Sequence, residues 1–90
     1  LFVANTFTPD NDGINDTFYP KGFSVSDQGY SFTIFNRWGE RIFETDDINT
    51  KWNGKRNGNK VQQGVYPWVL KYQDIKGNNH SERGHVNLIR

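Results

Sequence analysis

The chain has no cysteine and no methionine, and only three prolines. Without cysteine there can be no disulfide frame and no thiolate metal site, so a small domain must hold together by its core alone. A formal net charge of +1 supplies no field of the kind that DNA or an anionic membrane selects, and neither nucleic-acid binding nor direct membrane insertion is expected. No run approaches the ~20 apolar residues of a transmembrane helix, and no signal peptide opens the chain. Helical periodicity is nearly absent as well.

What is present is aromatic. Ninety residues include three Trp, four Tyr and seven Phe. A chain of this length buries roughly 60–65% of the surface its unfolded form exposes, and each aromatic can contribute about 150–250 Å². A dense aromatic core is therefore available without staples. Leu1-Phe2-Val3 reads as a strand with no initiator Met. The expectation is one domain over residues 1–90, a fragment of a larger secreted or surface protein, monomeric in isolation.

Apolar residues alternate or cluster in short runs broken by Gly, Asn and Asp, the all-β pattern. Strands are expected at Phe2–Asn5, Thr17–Pro20, Ser31–Asn36, Arg41–Glu44, Val65–Asp74 and His80–Ile89, with a short one near Lys51-Trp52. Turn signals separate them at Asp12-Gly13, Trp38-Gly39, Asn53-Gly54, Asn57-Gly58 and Lys76-Gly77-Asn78. Tyr66, Trp68, Leu70 and Tyr72 share one face of their strand, Phe32 and Ile34 one face of theirs, and Val86, Leu88 and Arg90 one face of the last. Pro67 lacks an N–H and suits an edge, a bulge or an outward ladder position. The fold class predicted is an immunoglobulin-like β-sandwich of about seven short antiparallel strands.

Two stretches carry unusual chemistry. In the first, Asp10, Asp12 and Asp16 offer carboxylates and Asn15 a carbonyl, hard oxygens of the kind Ca²⁺ prefers, with Gly13 permitting the bend. The EF-hand register fails: with Gly13 sixth in the loop, the twelfth position is Tyr19, where a bidentate Glu belongs. An Asx-rich turn and a Ca²⁺ site both remain open, and one does not exclude the other. The second stretch is Asn36-Arg37-Trp38-Gly39-Glu40, closing a hairpin. Either Trp38 caps the core edge, its expected role taken alone, or Arg37 and Trp38 form part of a docking surface with Asn36, Gly39 and Glu40, since Trp and Arg are enriched at binding hot spots. Trp52, before Asn53-Gly54, similarly covers one end of the core or stacks on sugar rings.

No catalytic constellation assembles. His85 falls on the face opposite Val86 and Leu88, and Ser81 and Glu82 near His80 alternate in direction along a strand. Asp46-Asp47 reads as a solvated pair. Lys51, Lys55, Arg56 and Lys60 around Trp52 are too short and interrupted a run for single-stranded nucleic acid.

Taken in order, Phe7-Thr8-Pro9-Asp10-Asn11-Asp12-Gly13-Ile14-Asn15-Asp16, Ile34-Phe35-Asn36-Arg37-Trp38-Gly39-Glu40, Trp52-Asn53-Gly54, Gly64-Val65-Tyr66 and Gly84-His85-Val86-Asn87-Leu88-Ile89-Arg90 resemble the gliding motility-associated C-terminal domain. This is the type B sorting domain of the Bacteroidetes type IX secretion system. The resemblance spans essentially the whole chain. Where the family more often has Asn-Gly-Asp-Gly, this chain has Asp10-Asn11-Asp12-Gly13, which adds a carboxylate. Where it has Trp-Asp-Gly, this chain has Trp52-Asn53-Gly54, which removes one. The resemblance implies a non-enzymatic tag at the C-terminus of a cell-surface adhesin or other exported protein. Such a tag passes the outer-membrane translocon with a PorP/SprF-type barrel as partner and remains largely at the surface. Ending on Leu88-Ile89-Arg90 fits a native C-terminus. A carbohydrate-binding module and a structural Ig-like adhesin domain are the rival classes.

Overall fold

Strand alternation organises the molecule around one long hairpin. The structure, a computed structural model, describes residues 3–9, 16–22, 26 and 28–90. Its strands are β1 (Thr6–Phe7), β2 (Ser31–Phe35), β3 (Arg41–Thr45), β4 (Lys55–Arg56), β5 (Asn59–Lys60), β6 (Gly64–Gln73) and β7 (Asn79–Leu88). β6 and β7 pair antiparallel along their whole length, from Gly64 opposite Leu88 to Gln73 opposite Asn79. β2 adds antiparallel to β6 and β3 to β2, so the main sheet runs β1-β7-β6-β2-β3.

The expected faces hold. Tyr66, Trp68 and Leu70 of β6, Phe32 and Ile34 of β2, and Val86 and Leu88 of β7 all turn to one side and are buried there. Pro67 opposes His85 and lies one residue beyond the last β2–β6 pair, Ile34 with Trp68. That is a place where a missing N–H breaks no bond to β2.

A second layer covers this face. Phe18 and Trp52 form an antiparallel bridge, exchanging N–H···O bonds of 2.8 and 3.1 Å. The β4–β5 hairpin follows, turning through Asn57 and Gly58 at φ 53° and 82°. Two successive positive φ values are what a tight two-residue hairpin turn requires, and Asn-Gly supplies them with least strain. Between the layers the rings form a continuous cluster. Phe7 lies 5.5 Å from Phe18 and 5.4 Å from Trp52, Phe18 lies 5.6 Å from Phe32, and Trp52 lies 5.5 Å from Tyr66. Trp52 sits at its centre, and its Nε1–H donates to the Lys55 carbonyl (3.0 Å), so the indole is buried without an unmet donor. Each such close aromatic pair adds about 0.5–1.5 kcal/mol beyond area burial.

Three expectations are corrected. The first strand falls at Thr6–Phe7, not Phe2–Asn5; Val3 to Asn5 are not strand, and Leu1 and Phe2 lie outside the described residues. β1 pairs parallel with β7, Thr6 opposite Asn87 and Phe7 opposite Leu88. Because the two are separated by nearly the whole chain, no short turn dictates their direction. Third, Thr17–Pro20 and Lys51-Trp52 contribute one bridge instead of extended strands. β4 and β5 were announced only by their Asn57-Gly58 turn.

Candidate functional site

β2 ends and β3 begins at one end of the sheet, and the turn between them is clamped by its own first residue. Asn36 Oδ1 accepts hydrogen bonds from the backbone N–H groups of Trp38 (3.0 Å) and Glu40 (2.9 Å). Its side-chain amide donates to Glu40 Oε1 (2.8 Å). The backbone adds Asn36 N–H to Glu40 O and Gly39 N–H to Asn36 O. Gly39, at φ 82°, takes the left-handed position that a side chain would resist. Local hydrogen bonding of this kind is how an Asx residue fixes a turn without help from the core.

The turn thereby holds Trp38 out of the protein. The indole is 70% exposed, which corrects the expectation that it caps the core edge. Arg37 lies over its ring, the guanidinium carbon 4.4 Å from the centroid. Stacking of this kind leaves the Arg donors free along their edge, available to a partner's carboxylate or carbonyl. All five predicted docking residues, Asn36 to Glu40, thus lie in one ordered turn. Asn36 and Glu40 form its clasp, and Arg37 and Trp38 its presented surface.

Beside it runs a groove of about 270 Å³, with Arg37 and Trp38 on one wall and Gln62, Gln63 and Tyr66 on the other. The Tyr66 hydroxyl donates to the Gln62 carbonyl, which pins the approach to β6. Burial pushes the Tyr66 phenol above its ordinary pKa, while the charges of Arg90 and Arg37 pull it partly back. Arg90 in turn ties the neighbouring loop down: its Nε–H and Nη2–H donate to the carbonyls of Val61 and Gly54, each at 2.9 Å. Sequence alternation put Arg90 on the inner face of β7 with Leu88; its use as a loop clasp had no local signal.

The parallel β1–β7 register carries Thr8 and Pro9 toward this same end. Of the calcium candidates, Asp10, Asp12 and Asn15 lie outside the described residues. Asp16 lines a small cleft with Pro9, Asn53, Lys55, Lys60 and Arg90. Among the described residues no three His, Cys, Asp or Glu side chains gather as a metal site.

Trp52 is only 1% exposed, so the reading in which it stacks on a sugar is overturned. His80, to which the sequence assigned no site role, has a definite environment: its Nε2 lies 3.0 Å from Asp74 Oδ2, and its ring stacks 4.9 Å from Tyr72. The i,i+6 spacing across a hairpin turn was the signal available for it. His85 is exposed on the outer face, as its alternation indicated. No helix of the described residues is long and apolar enough to cross a membrane.

The molecule is thus a two-layer all-β domain with an aromatic core, a clamped turn and an exposed Arg-Trp pair. The chain belongs to the type IX secretion signal domain family (CHU_C), whose family model matches residues 1–88. Membership assigns a sorting-signal role in a non-catalytic family, dealings with the type IX secretion machinery, and export out of the cell. Among solved structures, the crystal structure of CopC from Methylosinus trichosporium OB3b is similar, with a TM-score of 0.55 and 13% identity over 74% of this chain and 68% of that one. That likeness is one of fold alone. No curated protein matches.

Proposed function

We propose that this domain is an address tag. It takes the protein to which it is joined through the type IX outer-membrane translocon, and the Asn36–Glu40 turn is the part that is read. Family membership supplies the secretion role. The single observation favouring this surface is Trp38, 70% exposed and backed by Arg37 in a turn held by five hydrogen bonds to or from Asn36. A large aromatic presented to solvent on a rigid frame has little ordering entropy left to lose on binding, which is what a hot-spot residue requires. A PorP/SprF-type barrel is the partner the family resemblance suggests, and retention at the cell surface is the outcome it suggests. In this reading the domain sits at the C-terminus of an exported adhesin or similar cargo.

The test is export of a reporter fused to this chain in a host with the secretion system. Wild-type fusions should reach the surface or medium. Arg37→Ala and Trp38→Ala should cut export at least several-fold while the purified domains melt as the wild type does. Export unchanged by either substitution would remove the turn from the reading, and retention of the folded wild-type fusion would remove the tag itself. A structural spacer predicts that deleting the domain leaves export intact.

A further inference from the structure

At the opposite end of β2, the bridge between Phe18 and Trp52 has a consequence on its outer side. Both bridged side chains enter the core, so alternation turns their neighbours Tyr19 and Lys51 outward, with Lys21 on the same side two residues on. The Lys51 ammonium sits 4.4 Å from the Tyr19 ring centroid and the Lys21 ammonium 5.2 Å from it. A single lysine over a tyrosine is ordinary surface packing. Here two lysines share one ring, and among the described residues neither ammonium has a carboxylate within 4.0 Å; the ion pairs there are Arg41–Glu44 and His80–Asp74.

Next to this cluster opens a groove of about 430 Å³, floored by Tyr30 and walled by Pro20, Ile48 and Asn49. The volume lies within the range of small-ligand sites, about 300–1,000 Å³. Asp47 fixes the Asn49 wall by accepting the Asn49 N–H at Oδ1 (2.8 Å). Burial and the Asp47 charge raise the Tyr30 phenol to about 12, so it stays a neutral hydroxyl. The groove therefore combines apolar walls, an amide and two cations with no carboxylate partner among the described residues.

The geometry points to a second binding site, for a carboxylate-bearing sugar unit of an acidic polysaccharide. The apolar walls of Pro20 and Ile48 suit the face of a pyranose, the Asn49 amide suits its hydroxyls, and the two ammoniums suit its carboxylate. An acidic peptide fits less well. Strand-like capture needs a free row of N–H and C=O groups, whereas this groove is bounded by Pro20, which has no N–H, and by the Asp47–Thr50 turn, whose Thr50 N–H is already given to Asp47 O.

The decisive experiment is an amide chemical-shift titration of the isotope-labelled 90-residue chain with a uronic acid trisaccharide, a neutral glucose trisaccharide and triglutamate. The uronate should shift the amides of Tyr19, Lys21, Asn49 and Lys51, and the doubly substituted Lys21→Gln, Lys51→Gln chain should bind it at least tenfold more weakly. Both lysines are exposed, so that variant retains its core and its unperturbed Val86 and Leu88 signals verify the fold. The proposal is overturned by absence of shifts with the uronate, by triglutamate binding as tightly, by an equal response to the neutral sugar, or by an undiminished response in the double variant. Because Lys21 and Lys51 lie at the far end of β2 from Trp38, the same double variant should still be exported. Export and sugar binding thus fail separately.

Discussion

The indole of Trp68 sits directly over Gly84, its partner across the β6–β7 ladder: a Cβ built on Gly84 would stand 2.7 Å from Trp68 Cζ2 and 3.1 Å from Cε2. Gly84 is in regular strand, so backbone freedom does not explain it. The space above it does. Trp68 is buried at the centre of the sheet, and only a residue without a side chain leaves it room. Gly84→Ala should destabilise the domain by about 1–3 kcal/mol, the range for forcing extra volume into a packed core. Denaturant unfolding measures this. Adding Trp68→Phe, which removes the clashing ring atoms, should recover part of the loss; a strictly additive double variant would show that the two residues are not coupled.

The Asn36 clasp and the Trp38 it presents should separate in stability. Asn36→Ala strips acceptors from the Trp38 and Glu40 amides and should cost about 1–2 kcal/mol. Trp38→Ala removes an exposed ring and should fall within about 0.5 kcal/mol of wild type. Thermal melts of the two variants side by side check the contrast. Equal losses would mean that Trp38 packs after all.

Two groups make stability depend on pH at opposite ends of the scale. The Tyr30 phenol is raised to about 12, by burial first and by Asp47 second, against 10.0 when free. Between pH 10 and 12 the unfolded chain has released a proton that native Tyr30 retains, so stability falls as pH rises through that window. Tyr30→Phe should flatten this alkaline decline. Asp74 is lowered to about 2 from 3.8, first by its hydrogen bond with His80 and then by the Asn78 N–H, with the Lys76 N–H adding to them. Here the sign reverses: the stabilisation is full above pH 4 and is lost as pH drops from 4 toward 2. Asp74→Asn should flatten the acid limb, read as hydrogen exchange at the hairpin tip around Gly77.

Arg90→Ala should release the segment from Gly54 to Val61, because it removes two donors aimed at those carbonyls. Hydrogen bonds from charged donors support a loss of about 1–2 kcal/mol. Exchange protection should fall first at Val61, whose N–H donates to Gly54 O (3.0 Å). Unaltered protection there would show that the loop holds its shape without the guanidinium.

Local alternation determined much of this protein. Period-two patterning in Tyr66-Pro67-Trp68-Val69-Leu70 and in Phe32-Thr33-Ile34 stated which side of each strand is buried, because a strand's geometry leaves no other choice. Asn57-Gly58 and Trp38-Gly39 announced turns, since few residue pairs accept positive φ. The residues Asn36 to Glu40 were legible as a turn, and as a candidate docking surface, because their chemistry is compressed into five consecutive positions. What the tertiary structure alone decided involves residues brought together from far apart. The parallel seating of β1 on β7, the meeting of Phe18 with Trp52, the reach of Arg90 to Gly54 and the convergence of Lys21 and Lys51 on Tyr19 leave no mark in any short window. They depend on how two layers close over a shared aromatic core, and so does the fate of the tryptophans. Trp52 and Trp38 each stand beside a turn glycine, yet one plugs the core and the other faces solvent, because only Trp52 has a second layer's worth of rings to pack against.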